Sequence, residues 1–155
     1  MNTNNFSKAF CNPLIAYTNI ASLPAKYDEF CSFVVSNKPA IFLITESWLN
    51  VAIPDSLYSL PGYSIYRTDR KGKRGGGVCI YVSHSITSVF KVTPLDVNID
   101  KIETLFLNFK INTSSLLLGC IYRPSSTVIN DDLVLFNTLD RLSEKYTHLL
   151  LFGDF

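Results

Sequence analysis

Hydrophobic positions along this chain change period several times, and each change marks an element. After a polar lead over residues 1–12, LIAYTN (Leu14 to Asn19) reads as a short strand. Pro24 suits the first turn of a helix, where its missing N–H leaves no hydrogen bond unmade. Tyr27, Phe30, Cys31 and Val34 then recur at helical spacing and form one apolar face, which Asn37 and Pro39 close. AIFLITE (Ala40 to Glu46) is too continuously apolar for a strand with one wet face. It reads as a strand buried on both faces, emerging at Thr45 and Glu46.

GYSIYRTDR and GGVCIYVS read as two strands joined through the turn-rich KGKRG, a hairpin. ITSVFKV, ETLFLNFK and SLLLGCIY continue a β-rich middle, the last two around a turn at Asn112. From Asn130 the period becomes helical. Asn130 is placed to cap a helix, Asp131 and Asp132 favour the positive end of its dipole, and Leu133, Phe136, Leu139, Leu142 and Tyr146 supply an apolar face. HLLLFGDF closes the chain as another buried strand. The order β-α-β, several antiparallel strands, then α-β predicts an α/β domain in which helices cover mixed sheets. Residues 13–155 read as one domain, with no internal repeat and no linker-like stretch.

Composition narrows the picture by exclusion. With 47% hydrophobic and 17% charged residues in 155, the chain has ample material for a core. A net charge of +1 advertises neither nucleic acid nor membrane, so such a partner must be met by a local patch. Cys11, Cys31, Cys79 and Cys120 are widely spaced, and His84 and His148 are the only histidines, a poor set for zinc. The cysteines read as reduced and structural, which favours an intracellular compartment. The N-terminus lacks the pattern of a signal peptide, and no apolar run approaches the ~20 residues that span a bilayer.

The candidate chemistry lies where polar groups leave buried strands. Asn19, Glu46, Tyr122 and Asp154 each stand at the C-terminal end of a predicted strand, beyond which α/β sheets usually bind ligands. Singly each has an ordinary reading: a helix cap for Asn19, a surface ion pair for Glu46, a core tyrosine for Tyr122, a turn for Asp154. Together they make an oxygen-rich set suited to Mg²⁺ or Mn²⁺. Arg123 beside Tyr122 is available to an anion or to another side chain. RTDRKGKRGGG (Arg67 to Gly77) holds Arg67, Arg70, Lys71, Lys73 and Arg74 around Asp69. It fits neither a P-loop nor a dinucleotide turn, and reads equally as a solvated tip or as a prong for phosphates.

Four segments in order, TESWL (Thr45 to Leu49), GYSIYRTDRKGKRGGGVCIYV (Gly62 to Val82), GCIYRPSS (Gly119 to Ser126) and LLLFGDF (Leu149 to Phe155), resemble the endonuclease/exonuclease/phosphatase superfamily. They are most similar to the apurinic-like endonuclease domain of non-LTR (LINE-type) retrotransposons. The resemblance implies a four-layer α/β sandwich and Mg²⁺-dependent phosphodiester hydrolysis, with DNA as substrate. It casts Glu46 as the metal-binding glutamate and Asn19 as the asparagine near metal and phosphate. Tyr122 matches the tyrosine that binds the scissile phosphate, and Asp154 the aspartate that orients the attacking water. Arg67, Arg70, Lys71, Lys73, Arg74 and Arg123 become contacts to the DNA backbone, in a nuclear protein whose parent carries a reverse transcriptase.

The departures from the family pattern are as specific. The asparagine expected after Phe155, the later aspartate and the Ser-Asp-His ending are not among these residues, and neither His84 nor His148 has that context. The chain therefore reads as an N-terminal portion of the domain. The alternatives are an inactive fragment with weak backbone binding, or another phosphodiesterase of the same superfamily.

Overall fold

The computed structural model describes residues 13–155; Cys11 and the polar lead lie outside them. Among the described residues, eight strands form two four-stranded sheets. The first has the order β1 (Ile15–Asn19), β2 (Ile41–Thr45), β4 (Val78–Ser83), β3 (Tyr63–Thr68). The second runs β5 (Lys91–Leu95), β6 (Glu103–Ile111), β7 (Ser114–Tyr122), β8 (His148–Asp154). β1 pairs with β2, and β7 with β8, in parallel; every other pairing is antiparallel. Pro94, which cannot donate to a ladder, lies in β5 at a sheet edge.

Alternation along the strands divides the core into three layers. Leu43, Ile80 and Val82 meet Leu107, Leu118 and Cys120 between the sheets. The other side of the first sheet, Phe42, Ile44 and Tyr81, packs on Phe30 and Val34 of helix α1 (Tyr27–Asn37). Phe106, Leu117 and Ile121 on the outside of the second sheet pack on Leu135, Leu142 and Tyr146, the first two in helix α3 (Ile129–Lys145). The result is the expected four-layer α/β sandwich, and AIFLITE is indeed buried on both faces. Each fully buried Leu or Ile contributes about 1.5–3 kcal/mol of hydrophobic stabilisation, so strand ends rest on a rigid base.

Three local expectations are corrected. Pro24–Lys26 forms a separate 3-10 turn leading into α1. Within ITSVFKV, the first residues belong to a one-turn helix α2 (His84–Thr87), because the Ser83 hydroxyl accepts the Ser85 N–H at 3.3 Å and caps it. The third concerns α3. It begins at Ile129 and not at Asn130, with the Asp131 carboxylate accepting the Val128 N–H at 2.9 Å. Its Leu133 and Phe136 face solvent, at 54% and 60% exposure. Steps of three residues drift about 60° each around a helix, so the predicted stripe wraps away from the sheet. Leu135, Leu139, Leu142 and Tyr146, spaced four, three and four, hold one direction and form the packed face.

Candidate active site

β1, β2, β7 and β8 all end at the same side of the sandwich, and their last residues form a closed ring. Asn19 of β1 and Thr45 of β2 are register partners, and Glu46 follows Thr45. Tyr122 of β7 and Asp154 of β8 are register partners in the other sheet. The two ends face each other across the sandwich: Asn19 Nδ2 donates to Asp154 Oδ2 at 2.7 Å, and the Tyr122 phenol lies close enough to the Glu46 carboxylate to lower its pKa. The four residues singled out in the sequence are thereby brought together. Asn19 does not cap the next helix; its Oδ1 accepts the Ala21 N–H at 3.2 Å, which fixes the amide so that Nδ2 faces Asp154.

β8 delivers Asp154 because Gly153 permits it. A Cβ on Gly153 would lie 2.0 Å from the Ile121 carbonyl oxygen, so only glycine lets this strand lie so close to β7. The segment after β2 is strained in a complementary way. Glu46 and Trp48 both have φ of +56°, in the left-handed region that disfavours L side chains. The loop 75–77 holds them there. Gly76 and Gly77 carbonyls accept the Trp48 and Ser47 N–H groups at 2.9 and 3.1 Å, and the Gly76 N–H donates to Glu46 Oε2 at 2.9 Å. Trp48 Nε1 donates to the same oxygen at 2.5 Å.

Electrostatics follow from these contacts. Burial alone would raise the Glu46 pKa. The hydrogen bonds from Tyr122, Gly76 and Trp48 and the charge of Arg70 outweigh it and hold the carboxyl below its usual value. Glu46 is therefore ionised at neutral pH. Burial, then the hydrogen bond to Glu46 and its charge, push the Tyr122 phenol up to about 12. Tyr122 thus remains an O–H donor across the physiological range.

The basic residues divide sharply. Arg67 turns inward, its Nε on Asp55 Oδ1 at 3.0 Å, its NH2 on the Ile53 carbonyl at 2.6 Å and 3.6 Å from Asp69 Oδ2. Arg70 forks onto Glu103 of β6, with NH2 to Oε2 at 3.1 Å and Nε to Oε1. Its guanidinium lies 5.3 Å over the Tyr122 ring. Arg123 takes the second of its two alternatives, another side chain: it forks onto Asp132 at 2.6 and 2.9 Å. Lys71, Lys73 and Arg74 are exposed and make no ion pair among the described residues, and Arg74 stands 5.3 Å over the Trp48 ring. Glu103 and Trp48 were not singled out from sequence as site residues. A lone acid opening an apolar strand was the only available signal for Glu103.

Residues 2–155 match the family model of the endonuclease/exonuclease/phosphatase family. The chain belongs to that family. Solved structures agree on the fold. An AP endonuclease from Leishmania major superposes with a TM-score of 0.72 at 18% identity, over 90% of this chain and 53% of its own. The endonuclease domain of TRAS1, a telomere-specific non-LTR retrotransposon, gives 0.66 at 17% identity, over 92% and 58%. A 3′ phosphatase, NExo, from Neisseria gives 0.61 at 16% identity, over 91% and 56%. The chain thus spans a little over half the length of these structures. No curated protein matches the sequence.

Members of the endonuclease/exonuclease/phosphatase family are hydrolases that generally use divalent metal ions. The ring fits such an ion in donor chemistry. It offers one ionised carboxylate, Glu46, and a second carboxylate, Asp154, whose Oδ2 accepts the Asn19 amide N–H. Hard oxygen donors few enough to leave places for water and phosphate match Mg²⁺ and Mn²⁺.

Proposed function

We propose that this chain carries part of a DNA endonuclease of the non-LTR retrotransposon type, cleaving phosphodiesters with the help of Mg²⁺ or Mn²⁺. The observation that carries the reading is the ring at the strand ends, which sets Glu46, Tyr122, Asn19 and Asp154 around one point. In this reading Glu46 holds the metal. A bound Mg²⁺ supplies positive charge at the phosphate when the substrate is in place. Tyr122, neutral at physiological pH, turns its O–H to a non-bridging phosphate oxygen, where negative charge grows in the transition state. Asp154, oriented by the Asn19 amide, accepts a proton from the attacking water and holds it in line with the leaving oxygen.

Substrate class follows from the rim. Lys71, Lys73 and Arg74 are exposed cations on the loop after β3, Arg74 standing over the Trp48 ring that hydrogen-bonds Glu46, and in this reading they contact backbone phosphates without reading bases. The resemblance of TESWL, the Gly-rich hairpin and GCIYRPSS favours the retrotransposon type over other phosphodiesterases of the family. A nick leaving a 3′-hydroxyl then serves a reverse transcriptase in the parent protein, which places the activity in the nucleus. The experiment is nicking of supercoiled plasmid DNA with Mg²⁺, comparing wild type with Glu46→Ala. Metal-dependent nicking that disappears in the variant supports the reading. Equal residual nicking in both defeats it.

A further inference from the structure

Arg70 belongs by composition to the basic hairpin, yet its side chain does not reach solvent like its neighbours. Only 19% of it is exposed, and both carboxylate oxygens of Glu103 take its fork. Glu103 is the register partner of Tyr122 on the adjacent antiparallel strand, so the fork is anchored beside the phenol it faces. The guanidinium then lies over the Tyr122 ring, 5.3 Å from its centroid. On its other side it meets the Gly76 backbone: a Cβ there would fall 2.3 Å from the guanidinium carbon. Gly76 in turn donates its N–H to Glu46. Arg70 therefore touches both arms of the site, Tyr122 directly and Glu46 through Gly76.

We propose that Arg70 is a positioning residue of this active site: braced by Glu103, it aims the Tyr122 hydroxyl and seats the Gly76 N–H against Glu46. This rests on the hydrolase reading above and deepens it. The planar fork is essential to the role, because it makes two bonds to Glu103 while presenting a flat face to the phenol ring. Lysine keeps the charge and supplies neither feature. An arginine acting as a direct phosphate contact would instead have to release Glu103 on binding.

The test is a double-mutant cycle on plasmid nicking with Mg²⁺, using the full chain as wild type, Arg70→Lys, Tyr122→Phe and the double variant. Arg70→Lys is expected to lose about tenfold or more in kcat with KM within about twofold, the pattern of a transition-state interaction. The same change in the Tyr122→Phe background is expected to cost little more. Equal losses in both backgrounds, or a loss confined to KM with a weaker salt dependence, would overturn the proposal in favour of a direct DNA contact. An activity-free readout separates this from the functional reading. In NMR spectra of ring-labelled tyrosine, Arg70→Lys should shift the Tyr122 resonance and leave that of Tyr146 in place. An unmoved Tyr122 signal overturns the positioning role whether or not the wild type nicks DNA. A wild type that does not nick defeats the functional reading while the NMR result still decides the role of Arg70. Glu103→Gln, which loosens the brace without touching the loop, should reproduce the same shift.

Discussion

Arg67 and Arg70 at the base of the hairpin and Lys71 and Lys73 at its tip come from one basic run, and they meet opposite surroundings. At the base, Arg67 and Arg70 are 15% and 19% exposed and committed to carboxylates and carbonyls. At the tip, Lys71 and Lys73 are exposed. The difference arises from what lies opposite each residue. β3 carries Arg67 in register with Cys79 and against Asp55, while Arg70 meets Glu103 across the sandwich. Lys71 and Lys73 lie beyond the end of β3, and neither makes an ion pair among the described residues. A run of charge is thus not one structural unit: its base is locked to carboxylates and its tip is left exposed.

The comparison breaks most visibly at Gly76. Gly76→Ala puts a methyl against the Arg70 guanidinium at φ +67°, a conformation strained for alanine. We expect a loss of about 2–3 kcal/mol in urea unfolding together with collapse of nicking, since strain and overpacking act at once. Wild-type stability and rate would dissolve the claim that the base is structural. Arg67→Ala comes next. It leaves Asp69, whose side chain is 10% exposed, without its cation, and a cost of about 2 kcal/mol is expected in the same melts. KM should move little, because Arg67 faces Asp55 and Ile53 and not the substrate side.

The tip should answer in the reverse sense. Joint replacement of Lys71 and Lys73 by alanine is expected to leave Tm unchanged. It should flatten the salt dependence of DNA binding by about 2 in the log–log slope, one counterion for each lost phosphate contact. A fall in Tm with an unaltered slope would place these lysines with the base. The smallest effect is in pH. Burial is the largest influence on Asp69 and raises its pKa, while Glu46 lies below its usual value. A raised folded pKa means the folded state keeps a proton the unfolded chain has lost, so the Asp69 contribution declines as pH rises above the ordinary aspartate range. The Glu46 contribution has the other sign: it is present above the ordinary glutamate value and is lost as pH falls through the lowered one. Urea melts from about pH 3 to pH 7 should show Asp69→Asn removing a decline and Glu46→Gln removing a rise.

The succession of strands and helices along the chain, the double burial of AIFLITE and the placing of Asn19, Glu46, Tyr122 and Asp154 at strand ends were legible in the sequence, because each rests on local pattern plus the rule that ligands gather at strand ends. The packed face of α3 was not. Several apolar residues lie on each side of that helix, and only the sheet decides between Leu133 with Phe136 and Leu135 with Leu142. The fates of Arg67, Arg70 and Arg123 were equally hidden, since each depends on one carboxylate placed by the fold: Asp55, Glu103 and Asp132. Asp132 is only nine residues from Arg123, but Glu103 is 33 residues from Arg70 and on the other sheet. Side-chain pairings across that distance have no periodic signature.

The central claim is that the ring at the strand ends hydrolyses phosphodiesters with a metal held by Glu46. The most direct test is the rate of supercoiled plasmid nicking with Mg²⁺, with and without EDTA, for wild type and Glu46→Ala of matched Tm. The account predicts nicking that EDTA abolishes and Glu46→Ala lowers by about a hundredfold or more, the usual scale for losing a residue that stabilises the transition state. Nicking indifferent to EDTA, or equal in the two proteins, would contradict it.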